Sequence, residues 1–302
     1  MSGEQSLAGV LPVIQTPYMA TGEIDVDDLD RELEWVLDQG ADGLTTGMVS
    51  EVLRLSVEER RTLTERVCAA AGKRSRFAVI SCGGETQREV TEHVLHAVGC
   101  GATALMAIPP ISIALDEDNL YRYFAEILGA SDLPLVVQDA SGYVGKPLGI
   151  DVQAKLSNEF GDQVYFKPEA PPIGQRLSEL REATGGRSRA FEGSGGAAIV
   201  DSFRRGIVGT MPGAEVCWVI RRLWDAAMNG DWDLAYEISG PLMLLVSMQT
   251  TVDGYVAIEK HLLKRQGVIR ETFQRAPSGY VLDPETAAEA DRLFDRLVEA
   301  TE

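Results

Sequence analysis

The sequence predicts a (β/α)8 (TIM) barrel followed by a C-terminal helical extension. Short apolar runs alternate with amphipathic stretches of helical period. The alternation recurs about every 30 residues, the size of one βα unit. Eight such runs have passed by Gly213, which fits a barrel of ordinary size. The runs are nearly continuous in apolar residues, as expected of parallel strands covered by helices on their outer face. A doubly wound open sheet is the rival fold, but no run is followed by a G-x-G-x-x-G or P-loop signature.

The eight runs are "GVLPVIQTP", "DGLTTGM", "RFAVISCG", "TALMAIPP", "LPLVVQDA", "QVYFKPE", "SRAFEGS" and "GIVGTMPG". They place the strand ends near Gln15, Gly47, Ser81, Pro109, Asp139, Lys167, Glu192 and Met211. In "DVDDLDRELEWVLDQG", Leu29, Leu33, Val36 and Leu37 line one helix face, acidic residues enrich the start and Gly40 ends it. "SVEERRTLTERVCAAAG" opens on a capping box, Ser56 with Glu59 three residues on, and is expected to close at Gly72. "ETQREVTEHVLHAVGCG" and "DEDNLYRYFAEILGA" repeat the pattern. Beyond the eighth run the chain reads as helix almost throughout, with expected breaks at "NGD" and "SGP" and a last helix after Pro284. This is too much for one barrel helix. Residues 1–228 are therefore assigned to the barrel and 229–302 to a helical extension packed on it.

The chain has 302 residues, 45% hydrophobic and 25% charged, a globular composition. Its 28 basic and 46 acidic residues give a formal charge of −18. Such a balance argues against nucleic acid or an anionic membrane as partner, since both need clustered cations. No apolar run approaches the roughly 20 residues of a membrane span. The start "MSGEQSLAGV" has neither a basic nor an apolar leader region, so a cytoplasmic location is expected. Cys68, Cys82, Cys100 and Cys217 are far apart and expected to be reduced. His93 and His96 share a helix face without a third ligand at matching spacing, so no metal is expected.

In a (β/α)8 barrel the active site forms at the C-terminal strand ends. The polar residues there are Gln15, Thr16, Thr45, Thr46, Ser50, Glu51, Ser81, Gln138, Asp139, Lys167, Glu169, Glu192 and Ser194. Lys167 is the single lysine among them. It ends the apolar run "QVYFK" and precedes Pro168, where neither a ladder nor a helix interior continues. A lysine at a strand end is ordinarily a residue with its stem on the protein and its head in water. Held instead among apolar walls at the barrel mouth, its amine is freed to attack a carbonyl. The protonated imine then serves as an electron sink, so the adjacent carbon can lose a proton or a carbon substituent.

At these residues the chain resembles the dihydrodipicolinate synthase/N-acetylneuraminate lyase family of class I barrel enzymes. The resemblance covers nearly the whole chain: the start "GVLPVIQTPYMATGEIDVDDL", Lys167 at the place of the imine-forming lysine, the turn "EGSGG" and the tail "AIEKHLLKRQG". It implies a small-molecule 2-oxo acid substrate, no cofactor, and a homo-oligomer, a dimer or a tetramer. Two motifs depart from the family pattern. Its Gly-Thr-Thr-Gly-Glu or Gly-Ser-Thr-Gly-Glu reads "GMVSE" here, so Gly47 and Glu51 remain while Met48 and Val49 replace hydroxyl residues. Its Tyr-Asn-x-Pro becomes "QDAS", putting Gln138 where the proton-relaying tyrosine belongs. An amide does not titrate near neutral pH and cannot do that tyrosine's work. "DGLTTGMVSE", "VVQDA" and "VYFK" are similar to the 2-keto-3-deoxy-L-arabinonate dehydratase branch, although "TTGM" departs from it.

The expected activity is a Schiff-base hydro-lyase of a 2-keto-3-deoxy sugar acid. The alternatives are a pyruvate-dependent aldolase and a non-catalytic sugar-acid-binding barrel. The catalytic candidates are Lys167, Glu51, Gln138, Asp139 and Tyr143, the last as a phenol in place of the missing one. Glu51 is equally readable as a brace for its loop. Substrate contacts are expected from Gly47, Met48, Val49, Ser50, Glu169, Glu192, Gly193 and Ser194. With no arginine at the strand ends, the substrate carboxylate is expected on the main chain of Met48 to Ser50 and the Ser50 side chain.

Overall fold

The computed structural model describes residues 6–142 and 145–302. Its elements alternate in chain order: β1 (Gly9–Val10), α1 (Val26–Asp38), β2 (Gly43–Thr45), α2 (Val57–Lys73), β3 (Phe77–Ser81), α3 (Gln87–Gly99), β4 (Ala104–Ala107) and α4 (Glu117–Gly129). They continue with β5 (Leu135–Asp139), α5 (Ile150–Phe160), β6 (Val164–Pro168), α6 (Ile173–Ala183), β7 (Phe191–Glu192), α7 (Ile199–Arg204), β8 (Gly209–Thr210) and α8 (Cys217–Met228). Three more helices follow, α9 (Trp232–Ser247), α10 (Val252–Arg265) and α11 (Pro284–Thr301).

Strands β2 to β6 pair in sequence order and β1 pairs with β8, which pairs with β7, all in parallel. Two bridges join these sheets into a ring. Val13 bridges Thr45, with the Ile14 N–H donating to the Thr45 carbonyl at 3.0 Å, and Phe166 bridges Ala190, with the Phe166 N–H donating to Arg189 at 2.9 Å. The (β/α)8 barrel expected from the alternation is thus present.

The period of two within a strand decides what faces the lumen. Leu11, Val13, Val79, Ala104, Met106, Val136, Tyr165, Phe191 and Met211 pack together inside the barrel. Leu135, Val137, Val164 and Phe166 belong to the larger cluster between strands and helices. Tyr165 points inward, so Lys167, two residues on, points inward as well. By the same count Gln138 follows Val136 into the lumen, whereas Asp139 follows Val137 outward.

Helix α1 buries Leu29, Leu33, Val36 and Leu37 as its pattern predicts, and Gly40 takes a left-handed φ of 85° behind it. The Asp25 side chain caps its start by accepting the Asp28 N–H at 3.1 Å. The capping box of α2 forms: Ser56 Oγ accepts the Glu59 N–H at 3.3 Å, and Glu59 Oε2 accepts the Ser56 N–H at 2.8 Å. Three expected boundaries are corrected. Strand β1 ends at Val10 rather than near Gln15. Helix α2 does not close at Gly72 but runs to Lys73, and the left-handed residue beyond it is Ser75. "SGP" does not interrupt α9, and Pro241 lies inside that helix. Ile238, Leu242, Leu245 and Val246 bury the face around the proline, and that packing outweighs one lost backbone hydrogen bond. The chain breaks instead between Ser247 and Val252, where Thr251 caps α10. Helix α10 packs against the turn that follows β2, and this contact positions the site described next.

Candidate active site

Lys167 stands at the end of β6 with 5% of its surface exposed. Its Nζ lies 2.9 Å from Glu169 Oε1, and the same oxygen accepts the Gln138 Nε2 N–H at 3.0 Å. Glu169 Oε2 has no hydrogen-bond partner among the described residues. Burial raises the Glu169 carboxyl above its ordinary range, while the Lys167 charge and the two hydrogen bonds pull the other way. Gly193 closes over this pair: a Cβ there would lie 2.8 Å from both Cγ and Cε of Lys167 and 3.0 Å from Cγ of Glu169. Only a glycine lets the β7 end approach the lysine stem so closely.

Lys167, Gln138, Glu169 and Gly193 line one cavity of about 40 Å³ with Met48, Val49, Met211, Gly213, Tyr255 and Glu259. Met48 to Ser50 form one turn of 3-10 helix. The N–H groups of Met48 and Val49 have no acceptor among the described residues, as expected at a helix start. Ser50 is already committed: its Oγ accepts the Gly47 N–H at 3.0 Å and donates to the Ile14 carbonyl at 2.5 Å. The turn therefore offers main-chain donors to a ligand, while its serine holds the turn to the segment after β1.

Gly47, Glu51, Asp139, Glu192 and Ser194, also expected at the site, sit away from the cavity lining. Glu51 ends the turn in the left-handed region, φ 57°, uncommon for a side chain of its size. Its Oε1 accepts from Lys260 Nζ at 2.7 Å, a wholly buried pair, and Lys260 also donates to the Phe273 carbonyl at 3.2 Å. Beside it Arg54 pairs with Asp253 at 2.6 Å. Two ion pairs thus fasten the β2 turn to α10, and Glu51 acts as a brace. Asp139 accepts the N–H groups of Ser141 at 3.0 Å and Leu148 at 3.1 Å, holding the loop after β5. Glu192 accepts the Ser194 N–H at 2.6 Å, the Ser194 hydroxyl, and the Thr210 hydroxyl at 2.7 Å. Ser194 Oγ in turn accepts the Ala198 N–H at 2.9 Å. Glu192 and Ser194 therefore shape the glycine turn. Tyr143 lies outside the described residues.

The sequence reading missed the contribution of α10. Glu259 and Lys260 fall between Val256 and Leu263 on the buried stripe, at one-turn spacing. Charged residues at such positions are a signal that was available. Glu259 lines the Lys167 cavity and accepts from Gln15 Nε2. Glu32 of α1 accepts the Gln15 N–H at 2.6 Å, and Glu215 approaches from the loop after β8. All three carboxyls are buried. Burial pushes Glu32 up to about 8 and Glu215 up to about 7, and burial with the Glu215 charge holds Glu259 well above the carboxylate range.

The sequence profile of the Dihydrodipicolinate synthetase family matches residues 6–293. The L-2-keto-3-deoxyarabonate dehydratase of Azospirillum brasilense is 28% identical over 294 residues, 96% of this chain and 94% of that protein. The 4-hydroxy-tetrahydrodipicolinate synthase of Rhizobium meliloti (strain 1021) is 27% identical over 285 residues, 94% of this chain and 96% of that protein. Among solved structures, the prophage protein YagE of E. coli K12, in complex with pyruvate, superposes with a TM-score of 0.88 at 21% identity, covering 97% of this chain and 99% of that one. With the barrel closed, a lysine buried at the end of β6 and a profile match along nearly the whole sequence, the chain belongs to the dihydrodipicolinate synthetase family.

Proposed function

We propose that this protein is a Schiff-base-forming lyase that removes water from a 2-keto-3-deoxy sugar acid. The observation that carries the reading is the buried Lys167 ammonium, whose ion-pair partner is the buried carboxyl of Glu169. An ammonium held only for stability gains nothing from a cavity beside it. One that must lose its proton and attack a carbonyl needs both the cavity and a nearby base. The 28% identical dehydratase from A. brasilense points to the same substrate class.

In this mechanism the substrate carboxylate binds the free N–H groups of Met48 and Val49, which directs C2 toward Lys167. Glu169 takes a proton from the ammonium, and Nζ attacks C2. Glu169 returns its proton to the carbinolamine hydroxyl, which leaves as water to give the protonated imine and restores the carboxylate. Glu169 then removes a C3 proton, and the electron pair left on C3 forms the C3–C4 double bond as the C4 hydroxyl departs. Gln138 donates to Glu169 and holds its oxygen against the lysine. A pyruvate-dependent aldolase would use the same imine and break a C–C bond instead. The 27% match to a 4-hydroxy-tetrahydrodipicolinate synthase favours keeping it as the second reading. By analogy with its family the protein is expected to act as a cytoplasmic homo-oligomer.

Borohydride reduction in the presence of a panel of 2-oxo acids tests the reading, with product analysis by NMR. The wild-type protein should gain the mass of a reduced adduct on Lys167 and should release an unsaturated or rearranged keto acid from 2-keto-3-deoxy-pentonates or -hexonates. Lys167→Ala and Lys167→Arg should form no adduct and turn nothing over, because a guanidinium keeps its proton. Release of pyruvate and an aldehyde selects the aldolase. Absence of any adduct refutes the imine.

A further inference from the structure

A second carboxyl lines the Lys167 cavity from a different wall, and the steps above give it no role. Glu259, on α10, is 1% exposed. Behind it stands Glu215. A Cβ on Gly213 would lie 2.6 Å from Glu259 Oε1 and 2.3 Å from Glu215 Oε2, so the two oxygens crowd the same point. Gln15 donates to the other oxygen of Glu259, and Glu32 lies beyond Gln15. The described residues place no cation in hydrogen-bonding contact with Glu215 or Glu259. Two buried carboxyls that approach one point without a cation between them repel as anions, which favours a proton held on the pair. Of the two, Glu259 is the one that reaches the cavity.

We propose that Glu259 is the general acid that protonates the hydroxyl leaving C4 of the substrate. The inference rests on the dehydratase reading. It supplies the acid that Gln138, an amide, cannot be. In the step, Glu169 takes the C3 proton and the C3–H pair becomes the C3–C4 π bond. The C4–O bond breaks, its electron pair takes the Glu259 proton, and water leaves. Glu169 ends protonated and Glu259 ionised, and exchange with solvent resets both. The two carboxyls thus divide the work: Glu169, held by Lys167 and Gln138, is the base, and Glu259, crowded by Glu215, is the acid. This is the pattern in which two environments push two carboxyls apart. A carboxyl retained only for packing would tolerate an isosteric amide, which keeps the shape and the Gln15 contact region.

The test uses Glu259→Gln in the full chain with two probes. Pyruvate reports imine formation by borohydride trapping, and proton removal at C3 by deuterium uptake into its methyl group. Neither needs an acid at C4. A panel of 2-keto-3-deoxy-pentonates and -hexonates reports water loss. The variant should be trapped and should exchange deuterium within about threefold of wild type, while water loss falls by about 10²-fold or more. The groups facing Glu259 are Glu215 after β8, Glu32 of α1 and Lys167 of β6. Glu215→Gln, which relieves the like-charge neighbour, should move the alkaline limb of water loss to lower pH. That second variant leaves Glu259 in place and serves if Glu259→Gln fails to fold. Water loss by Glu259→Gln within a few-fold of wild type overturns the proposal, as does loss of trapping along with it, or an unmoved limb in Glu215→Gln. A wild-type protein that is not trapped, or is trapped and dehydrates no member of the panel, instead brings down the reading beneath it.

Discussion

Gly193→Ala tests whether the close approach of the β7 turn sets the position of Lys167. The glycine does not have a positive φ, so alanine meets no backbone penalty there. The added methyl would stand 2.8 Å from Lys167 Cγ and Cε, against ordinary contacts that begin at 3.4 Å. The lysine stem must then retreat by about 0.6 Å, or the turn must lift by as much, in a barrel whose interior is close-packed. A misplacement of about 1 Å at a reacting centre costs about 10²-fold. The rate of borohydride-dependent trapping with pyruvate should therefore fall by about 10-fold or more, and overpacking should cost about 1–3 kcal/mol in denaturant melts. Gly72→Ala is the control. Its added carbon meets nothing within 4 Å near the end of α2, so it should leave trapping unchanged and raise stability by up to about 1 kcal/mol. Wild-type trapping by Gly193→Ala would show that the lysine is not held by this contact.

Two further predictions concern the buried charges. Burial raises Glu32 from 4.5 to about 8, so the folded protein binds a proton there that the unfolded chain releases. The resulting stability is complete below the unfolded value and disappears as pH rises toward about 8. Glu32→Gln should flatten this alkaline loss, read as a smaller drop in melting temperature between pH 6 and pH 9 than in wild type. An equal drop refutes it. Lys260→Met leaves Glu51 buried without its cation and should destabilise the fold by about 3–5 kcal/mol. Adding Glu51→Gln to that variant should recover part of the loss, and a single variant that melts like wild type would count against the brace.

The fold was legible because its signals are local and repeated. The βα alternation, the capping box at Ser56 and the apolar stripe of α1 each depend on residues within a few turns of one another. Pro241 was misread as a break because a helix with a well-packed apolar face tolerates what an isolated helix does not, and that face belongs to the tertiary structure. Lys167 stood out for a simpler reason: an ammonium ending an apolar strand ordinarily keeps its head in water, and the structure instead buries it beside the cavity. The strand ends also named Gln138 and Asp139 together. The lumen phase set by Val136 separates them, one turned to the cavity and one to the loop, and that phase could have been counted from the sequence.

By itself the sequence determined the barrel, most of its strand ends and the buried strand-end lysine, because hydrophobic period and turn chemistry act over short separations. Which carboxyls face Lys167 was decided only by the tertiary structure. Glu51 and Glu259 lie 208 residues apart in the chain, and both are strand-end or helix-stripe acids by pattern. Barrel closure and the docking of α10 give Glu51 a lysine at ion-pair distance, and among the described residues give Glu259 none. Sequence spacing carries no record of that difference, because a buried charge is set by its partners and by the water excluded around it.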